Sequence, residues 1–291
     1  MSRLLGAVVL HYQNPQGAVA VVRALESQVR QPDLVVLVDA CSPDGSGIEL
    51  MRALPEVGVI ALPENRGYGA GMNQGIAWMQ ERGADQILLL THDCILDLRA
   101  VEALEAALEA DPGLGVVGPR LIRTSTGRVW SSGGDLRPLT RRGRHFAADT
   151  DATSPLGVSQ TCRWLDGAAL LYRSGALTDS GGFREDFFLY GEDLEHHLRL
   201  TDFGWRIACV TAAKAVQDTL TVPNYLSMRN HLRLCLQRGW YLAAVLTALH
   251  GVGRDSLRGV QQRRVWPLLA TLHGIADCRK QSVDPRWAVR R

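Results

Sequence analysis

Short apolar runs and amphipathic stretches alternate along the first part of the chain. The apolar runs have the length and composition of strands and lie at residues 4–12, 33–40, 57–62 and 85–90. The stretches between them have helical spacing and lie at residues 16–28, 48–54 and 71–82. Strands that alternate with helices form a parallel sheet covered on both faces. The pattern therefore predicts an α/β fold with a mostly parallel sheet.

The second part of the chain is less regular. Asp97 is expected to cap a helix that buries Val101, Leu104 and Leu108, and the apolar run at 114–122 returns to the sheet. Residues 124–159 are rich in Gly, Arg, Ser and Thr without a strong period, which predicts long loops with a hairpin. Beyond residue 219 the pattern is helical. Its expected core positions are Leu226, Leu232, Leu236 and Leu242.

Composition narrows the possible partners and compartments. The chain carries 32 Lys and Arg against 30 Asp and Glu, a net charge of +2, so we expect no nucleic-acid partner. Its six cysteines have no CxxC spacing, which favours reduced thiols over a disulfide or zinc framework. Since no charged leader precedes the first strand, we predict a cytoplasmic protein. The apolar segment 240–253 is too short to span a bilayer as one helix, although it could lie against a membrane or a second subunit.

Polar side chains follow the predicted strands at the point where each strand ends. His11, Asp39, Asn65 and Asp93 all stand there. Ligands of parallel sheets bind at the carboxyl ends of the strands, so these four residues are expected near one another. This convergence predicts a ligand site at that edge of the sheet.

Two of the connecting loops have more than one interpretation. In "VDACSPDGS", Asp39 could offer a carboxylate to ribose or a base, or it could simply cap the turn that follows. In "PENRGYGAGMNQGI", Gly67, Gly69 and Gly71 precede a helix, where glycines let backbone N–H groups approach phosphate. An ordinary turn would explain these glycines equally well.

The segment "FFLYGEDLEHHLRL" carries paired carboxylates at the start of a helix. Glu192 and Asp193 could stabilise the helix N-terminus, or one of them could act as a general base. Leu194, Leu198 and Thr201 recur on one face of that helix. His196 and His197 are adjacent and point in different directions, so we expect surface or core histidines rather than a metal pair.

Taken together, these blocks resemble one family. "LHYQN", "VLVDACSPDGS", "PENRGYGAGMNQGI", "LLLTHDC", "WLDGAALLYRSGAL", "GGFREDFFLYGEDLEHHLRL" and "GWRIACV" follow in order the blocks of inverting family 2 glycosyltransferases with a GT-A fold. The rhamnosyltransferase-like branch is the most similar, and the resemblance covers about residues 4–218. It implies a GT-A domain over 1–219, with a nucleotide-binding half of about 1–96 and an acceptor half of about 97–219. A helical C-terminal extension, residues 220–291, would follow.

The resemblance also implies roles for individual residues. Asp193 would take the acceptor proton as the catalytic base, and Glu192 would support it. The residues that would bind the nucleotide-sugar donor are His11, Tyr12, Asp39, Asn65, Arg66, Gly67, Asn73, Thr91, His92 and Asp93. Those implied near the transferred sugar and acceptor are Trp164, Asp166 and Gly167.

The metal-binding part of the motif is reduced in this chain. The family commonly has Asp-x-Asp where this chain has Thr91-His92-Asp93, one carboxylate short. Many relatives place a metal-ligating His after the last strand, where Gln217 and Asp218 stand here. Magnesium often takes only one or two protein carboxylates beside substrate phosphates, so Asp93 and Asp218 are the expected ligands of a divalent cation, Mg²⁺ or Mn²⁺.

The expected reaction is the transfer of one sugar from a nucleoside-diphosphate sugar to a natural product or glycan intermediate, which could be lipid-linked. The Gln-x-x-Arg-Trp motif of processive synthases is missing, which favours one sugar per encounter. A homodimer through the helical extension and a peripheral location at the inner membrane face are further expectations.

Two alternative functions stay open from the sequence. A sugar-phosphate nucleotidylyltransferase would need a Gly-rich basic loop after the first strand, and "LHYQNPQG" lacks one. A non-catalytic nucleotide-sugar or glycan-binding relative is suggested by Thr91, although it would have no need of the Glu192-Asp193 pair.

Overall fold

The computed structural model describes residues 3–152, 159–218 and 222–288, and every structural statement below concerns these residues. The predicted boundary at residues 219–220 lies outside them. The strands are β1 (Leu5–His11), β2 (Leu34–Asp39), β3 (Gly58–Ala61), β4 (Gln86–Thr91), β5 (Ile95–Leu96), β6 (Leu114–Arg123), β7 (Val129–Ser131), β8 (Gly134–Leu136), β9 (Gly143–His145), β10 (Ser159–Cys162), β11 (Ala169–Arg173) and β12 (Arg206–Gln217). The helices are α1 (Pro15–Glu26), α2 (Ser46–Ala53), α3 (Tyr68–Glu81), α4 (Ala100–Ala110), α5 (Ser174–Ser180), α6 (Glu192–Asp202), α7 (Asn224–Gln237), α8 (Tyr241–Gln262), α9 (Trp266–Asp277) and α10 (Pro285–Ala288).

One central sheet organises the described residues up to residue 218. Its strand order is β10-β12-β6-β11-β4-β1-β2-β3, with β5 paired to β12 and β7 paired to β6. Strands β1 to β4, β6 and β12 run in one direction, whereas β11 lies antiparallel between β4 and β6. The predicted α/β fold with a mostly parallel sheet is therefore confirmed.

Helices cover both faces of this sheet, because the central strands are apolar on both sides. In β1, Leu5, Ala7 and Val9 pack on the face covered by α1, α2 and α4. Val8 and Leu10 pack on the opposite face, which α3, α5 and α6 cover. A strand buried on both faces reads as a continuous apolar run, and this is the signal that the sequence carries at 4–12.

Helix α4 begins later than the sequence predicted. Val101, Leu104 and Leu108 are buried as expected. Asp97, however, extends the strand-like segment of β5, and its backbone N–H donates to Lys214 O (2.9 Å). The helix starts at Ala100 with Arg99 at the N-cap. The Arg99 side chain makes no capping hydrogen bond, and Gln28 Oε1 instead accepts from the backbone N–H of Val101 in the first turn (3.2 Å). The prediction of Asp97 as the cap was wrong because pairing with β12 continues to that residue.

The loop region and the helical extension follow the predicted outline. Strands β8 and β9 pair antiparallel, which confirms the predicted hairpin. Residues 224–288 form helices α7 to α10 with short connections, and Leu226 and Leu232 of α7 are buried. Leu242 was expected in the core but is 68% exposed. Helix α8 turns Ala243 and Ala244 toward α7, so Leu242 lies on the outer face.

Two predictions about the chain's chemistry can be compared with the described residues. All six cysteines lie within them as free thiols, which confirms the prediction from their spacing. No helix in these residues has both the length and the apolarity needed to cross a bilayer.

Candidate active site

Three strands end side by side at one edge of the sheet. His11 at the end of β1 pairs in register with Asp39 at the end of β2, and Leu10 pairs with Thr91 at the end of β4. The backbone N–H of His92 donates to Leu10 O (3.0 Å), and the rings of His11 and His92 lie 5.9 Å apart. Of the four residues predicted to converge, His11, Asp39 and the segment that carries Asp93 therefore meet at this edge. The position of Asn65 beside them stays a prediction.

Asp39 is held in a fixed orientation at this edge. Its Oδ1 accepts hydrogen bonds from Ser42 Oγ (2.6 Å) and from His11 Nδ1 (2.9 Å). His11 Nε2 accepts from the backbone N–H of Asn14 (3.1 Å), which assigns the ring proton to Nδ1. His11 is fully buried, whereas the adjoining Tyr12 is 38% exposed. The histidine therefore orients the carboxylate from behind, and Tyr12 stands at the surface beside it.

The loop before α3 makes close contact with the segment that precedes α6. Asn65 Oδ1 accepts from Gly67 N–H (2.9 Å), and Tyr68 N–H donates to Phe188 O (2.7 Å). Gly67 has φ +89 and ψ −175, and a Cβ at this position would lie 1.9 Å from Phe188 O. Only glycine adopts that conformation freely, so backbone geometry requires Gly67 here.

Arg66 and Asn73 contact the same neighbouring segment. Arg66 forms an ion pair with Glu185 (2.8 Å). The Asn73 amide donates to Phe183 O (2.9 Å) and Glu185 Oε1 (3.2 Å) and accepts from Phe183 N–H (2.9 Å). In this conformation Asn73 fixes residues 183–185, and its predicted contact with the donor stays a prediction.

Asp93 is joined to the end of β12 rather than to Asp218. Gln217 Nε2 donates to both carboxylate oxygens of Asp93 (3.1 and 3.2 Å) and approaches Thr91 Oγ1 (3.4 Å). Asp218 instead accepts from the backbone N–H of Ser125 (2.9 Å). In the described part of the chain, no three His, Cys, Asp or Glu side chains form a group that could hold a metal.

Asp193 lies beside the loop that carries Asp166 and Gly167. Its Oδ2 accepts from Gly167 N–H (3.1 Å), and its Oδ1 accepts from Leu194 N–H (2.6 Å). Burial, with the neighbouring Asp166 carboxylate, raises the pKa of Asp193 to about 7. A half-buried carboxylate with this pKa can both accept and release a proton near neutral pH.

Glu192 is buried more deeply than its neighbour. It is 4% exposed, and its Oε2 has no hydrogen-bond partner among the residues that the structure describes. Burial, and then the charge of Asp193, raises the pKa of Glu192 well above its ordinary value. The two adjacent carboxyls therefore differ: Glu192 is held in the neutral form, and Asp193 can ionise.

A row of aromatic rings leads from the hairpin to Asp166. The ring centroids of Trp130 and His145 are 4.7 Å apart, and those of His145 and Trp164 are 4.8 Å apart. Trp130 Nε1 donates to Asp166 Oδ2 (2.9 Å). The sequence predicted Trp164 at this site but missed Trp130 and His145, because residues 124–159 carry no periodic signal that marks them.

His196 and His197 are buried and share one hydrogen-bond partner. Tyr172 Oη lies 3.2 Å from His196 Nδ1 and 3.0 Å from His197 Nε2. Burial lowers the pKa of His197 to about 3, so this ring is neutral. The expectation of core histidines is confirmed.

Helix α7 of the extension fixes the backbone that leads into Glu192 and Asp193. Asn230 Nδ2 donates to the carbonyls of Phe187 (2.9 Å), Leu189 (2.9 Å) and Tyr190 (2.7 Å). Phe188 and Tyr190 have positive φ values of 65 and 69, a conformation that needs support from its surroundings. Asn230 supplies that support from within a helix that the sequence analysis had not connected to the site.

Replacing Asn230 with Ala should destabilise the protein, because three backbone carbonyls would lose their donor inside the fold. We expect a loss of about 2–4 kcal/mol in the free energy of unfolding, measured by urea denaturation. Asn224→Ala on the same helix is the control, because its amide makes one contact of 3.3 Å with Asp255 and should cost less than about 1 kcal/mol. Equal losses in the two variants would contradict this role for Asn230.

The fold and this edge of the sheet define the GT-A class of glycosyltransferases. Residues 7–170, more than half of the chain, match Glycosyl transferase family 2, and the chain belongs to that family. The prediction of a family 2 glycosyltransferase with a GT-A fold is thus confirmed. Family 2 enzymes invert the configuration of the anomeric centre.

Characterised relatives come from Mycobacterium tuberculosis. The N-acetylglucosaminyl-diphospho-decaprenol L-rhamnosyltransferase of strain CDC 1551 is 28% identical over 235 residues, which are 74% of this chain and 76% of that protein. The pre-mycofactocin glycosyltransferase of the same strain is 26% identical over 75% of this chain and 47% of its own length. The first of these relatives agrees with the predicted rhamnosyltransferase-like assignment, and the second agrees with the assignment as a glycosyltransferase.

Solved structures share the fold at low sequence identity. The mannosyltransferase PcManGT from Pyrobaculum calidifontis, in complex with GDP-Man and Mn²⁺, aligns with 98% of this chain and 78% of its own, at a TM-score of 0.57 and 14% identity. GalNAc-T7 with UDP, GalNAc and Mn²⁺ aligns at a TM-score of 0.59 and 12% identity. The alignment covers 80% of this chain and about half of GalNAc-T7 (48%).

Proposed function

We propose that this glycosyltransferase moves a single sugar from a nucleoside-diphosphate sugar to an acceptor hydroxyl, with Asp193 as the base. The observation that carries the proposal is the position of Asp193, beside Gly167 and Asp166 with a pKa of about 7. In a direct displacement at the anomeric carbon, the base takes the acceptor proton as the new bond forms and the diphosphate leaves. Glu192, neutral and buried behind Asp193, supports it without competing for the proton.

The donor nucleotide would lie along the strand ends. Asp39 would bind the base or ribose, oriented by His11, and Tyr12 would cover it from the surface. Asn65 and Gly67, which form one turn through the hydrogen bond from Gly67 N–H to Asn65 Oδ1, would shape the floor of this pocket. Arg66 would reach the diphosphate from its exposed position.

A divalent cation, Mg²⁺ or Mn²⁺, would neutralise charge on the leaving diphosphate when bound. The solved relatives described above are complexes with Mn²⁺. Asp93 offers a carboxylate, and the buried Oε1 of Gln217 has no hydrogen-bond partner in the described residues. Both are hard oxygen donors, and rotation of the Gln217 amide, whose Nε2 faces Asp93 in this structure, would turn its unpaired Oε1 toward the cation. Such a cation would keep water and phosphate oxygens as its other ligands. Thr91 and His92 would line the same side of the donor site.

The acceptor would bind at the aromatic row. Aromatic faces bury the apolar faces of sugars and other ring systems, and Asp166 and Gly167 place polar groups next to Trp130 and Trp164. The name of the mycobacterial rhamnosyltransferase describes a lipid-linked diphosphate acceptor. We therefore favour a lipid-linked glycan intermediate, reached from the cytoplasm at the inner face of a membrane.

Nucleotide binding tests this proposal directly. A nucleoside diphosphate at about 100 times its Kd, with Mg²⁺ or Mn²⁺, is expected to raise the Tm by about 5 °C. Asp93→Asn should abolish the gain that depends on the ion, whereas Asp218→Asn should keep it. Loss of the gain in both variants would instead support the pair that the sequence predicts, Asp93 and Asp218, and loss in Asp218→Asn alone would assign the ion to Asp218.

Two outcomes would contradict the proposed function. One is the absence of a Tm increase with every nucleoside diphosphate in the panel, with and without either ion. The other is the release of pyrophosphate from a sugar-1-phosphate and a nucleoside triphosphate, which would show a nucleotidylyltransferase.

A further inference from the structure

Helix α8 carries an exposed apolar stripe along its outer face. The stripe consists of Tyr241, Leu242, Val245, Leu249 and Val260, which are 66%, 68%, 55%, 67% and 77% exposed. Their spacing places them on one side of a helix of 22 residues, which is about 33 Å long. Large exposed apolar patches on a protein surface mark a site of interaction.

The opposite face of α8 is firmly packed. Ala243, Ala244, Thr247, Gly251 and Asp255 are buried there. Asp255 is fully buried and accepts a hydrogen bond from Thr271 Oγ1 of α9 (2.5 Å). The rotation of the helix is therefore fixed by its inner face, and the apolar stripe is held outward.

The apolar surface continues at both ends of α8. Beyond its C-terminus, Val265 is 73% exposed, and Leu269 and Leu272 of α9 are 40% and 43% exposed. Beside its N-terminus, a shallow cavity of about 200 Å³ is lined by residues 239–243 and by Pro138, Leu139 and Arg141 of the hairpin turn. Leu139 is 70% exposed. The hairpin that carries Leu139 ends at His145, in the aromatic row of the site.

The helical extension and the rest of the chain carry net charges of opposite sign. Residues 222–291 contain twelve Arg and Lys, three Asp and no Glu, whereas residues 1–221 contain 20 basic and 27 acidic residues. The net charges are therefore +9 and −7. Arg263 and Arg264 are exposed between Val260 and Val265, at the turn from α8 to α9. Two exposed basic side chains thus adjoin the apolar stripe at its C-terminal end.

We propose that this stripe docks the protein on an anionic phospholipid bilayer, with α8 lying in the plane of the interface. Amphipathic helices with basic margins bind such surfaces through buried apolar area and attraction to acidic headgroups. A second copy of the chain would explain the apolar side chains but would bring two extensions of +9 together. The sign of the charge therefore favours an anionic membrane over a homodimer. The proposal is independent of the transferase chemistry.

Vesicle flotation of the full chain, without nucleotide sugar, tests the proposal. The protein should float with vesicles of equal parts phosphatidylcholine and phosphatidylglycerol, and at least about tenfold less with phosphatidylcholine alone. The triple variant Leu242→Ser, Val245→Ser, Leu249→Ser should bind the anionic vesicles at least about tenfold more weakly. Arg263→Glu with Arg264→Glu should also weaken binding and reduce its dependence on salt.

Matched controls lie on the acidic part of the chain. Val29, Ile48 and Leu98 are 52%, 59% and 59% exposed, so their triple substitution with Ser removes similar apolar area elsewhere. Arg52→Glu with Arg99→Glu removes the same charge there. Both controls should float like the wild type.

Three results would overturn the proposal. The first is a wild-type protein that does not float with anionic vesicles. The second is an α8 triple variant that floats as well as its control. The third is a wild-type dimer by sedimentation that the α8 triple variant converts to a monomer while vesicle binding is unchanged, since the stripe would then be the dimer interface.

Discussion

Asp193→Asn is expected to lower the rate of sugar transfer by about 10²–10⁴-fold, the contribution typical of a general base. The amide keeps the shape of the side chain, and its oxygen can still accept from one of the two N–H groups, Gly167 or Leu194, so the fold should persist. It cannot take the acceptor proton. Donor binding should change little, because the residues proposed to bind the donor at the strand ends do not include Asp193.

Glu192→Gln is the matched control for this prediction. Because burial keeps Glu192 neutral, an amide of the same size preserves both its charge state and its volume. Transfer should stay within about tenfold of the wild type. The measurement is single-turnover transfer from the nucleotide sugar that the binding panel identifies. Near-normal transfer by Asp193→Asn would rule this residue out as the base.

The pH dependence of transfer and of stability provides an independent test of Asp193. Because the pKa of Asp193 rises from 3.8 to about 7 on folding, kcat/KM should increase as pH rises through about 7. The folded state binds this proton more tightly than the unfolded state, so the contribution of Asp193 to stability falls as pH rises from about 4 to 7. Asp193→Asn should therefore have a higher free energy of unfolding than the wild type at pH 8. This difference should be smaller at pH 4.

Gly67→Ala is expected to destabilise the protein by about 3 kcal/mol or more. The new Cβ would overlap Phe188 O at 1.9 Å, and the backbone at φ +89 and ψ −175 is accessible almost only to glycine. Since Phe188 precedes the Glu192-Asp193 pair, relief of the clash would displace both the loop before α3, which contains Gly67, and the proposed base Asp193. The free energy of unfolding, measured by urea denaturation, and the affinity for nucleotide should therefore both decrease.

Gly83→Ala separates the clash from the backbone strain. Gly83 also has a positive φ, +75, but a Cβ there would meet nothing within 4 Å. We expect a cost of about 1–2 kcal/mol and unchanged nucleotide affinity. If both variants lost the same stability and neither lost nucleotide affinity, the contact between Gly67 and Phe188 would have no role in the site.

The fold was predictable because each central strand is buried on both faces and therefore reads as an unbroken apolar run. The convergence of His11 and Asp39 was predictable for a related reason: parallel strands that are neighbours end at the same edge. Periodicity failed where tertiary packing decides the outcome. Asp97 continues a strand because β12 pairs with that segment, and Leu242 points outward because alanines fill the inner face of α8.

The rest of the site depends on contacts between distant parts of the chain. Gln217 meets Asp93 across 124 residues, and Trp130 meets Asp166 across 36. Local sequence offers no pattern for such pairs, because neither partner lies at a periodic position. The Glu192-Asp193 pair was identified because both groups are adjacent in sequence at a helix start, but their different protonation follows from unequal burial.

The three hydrogen bonds from Asn230 have a consequence for the modularity of this chain. A truncation at residue 219 would follow the boundary that the sequence suggests, yet it would remove the donor that holds the carbonyls of Phe187, Leu189 and Tyr190. A chimera with the helical extension of a relative would lose the same hydrogen bonds unless the relative also supplies a donor at the position of Asn230. The transferase region and the helical extension are therefore not independent modules. A chimera should take α7 and the loop 187–190 from the same protein.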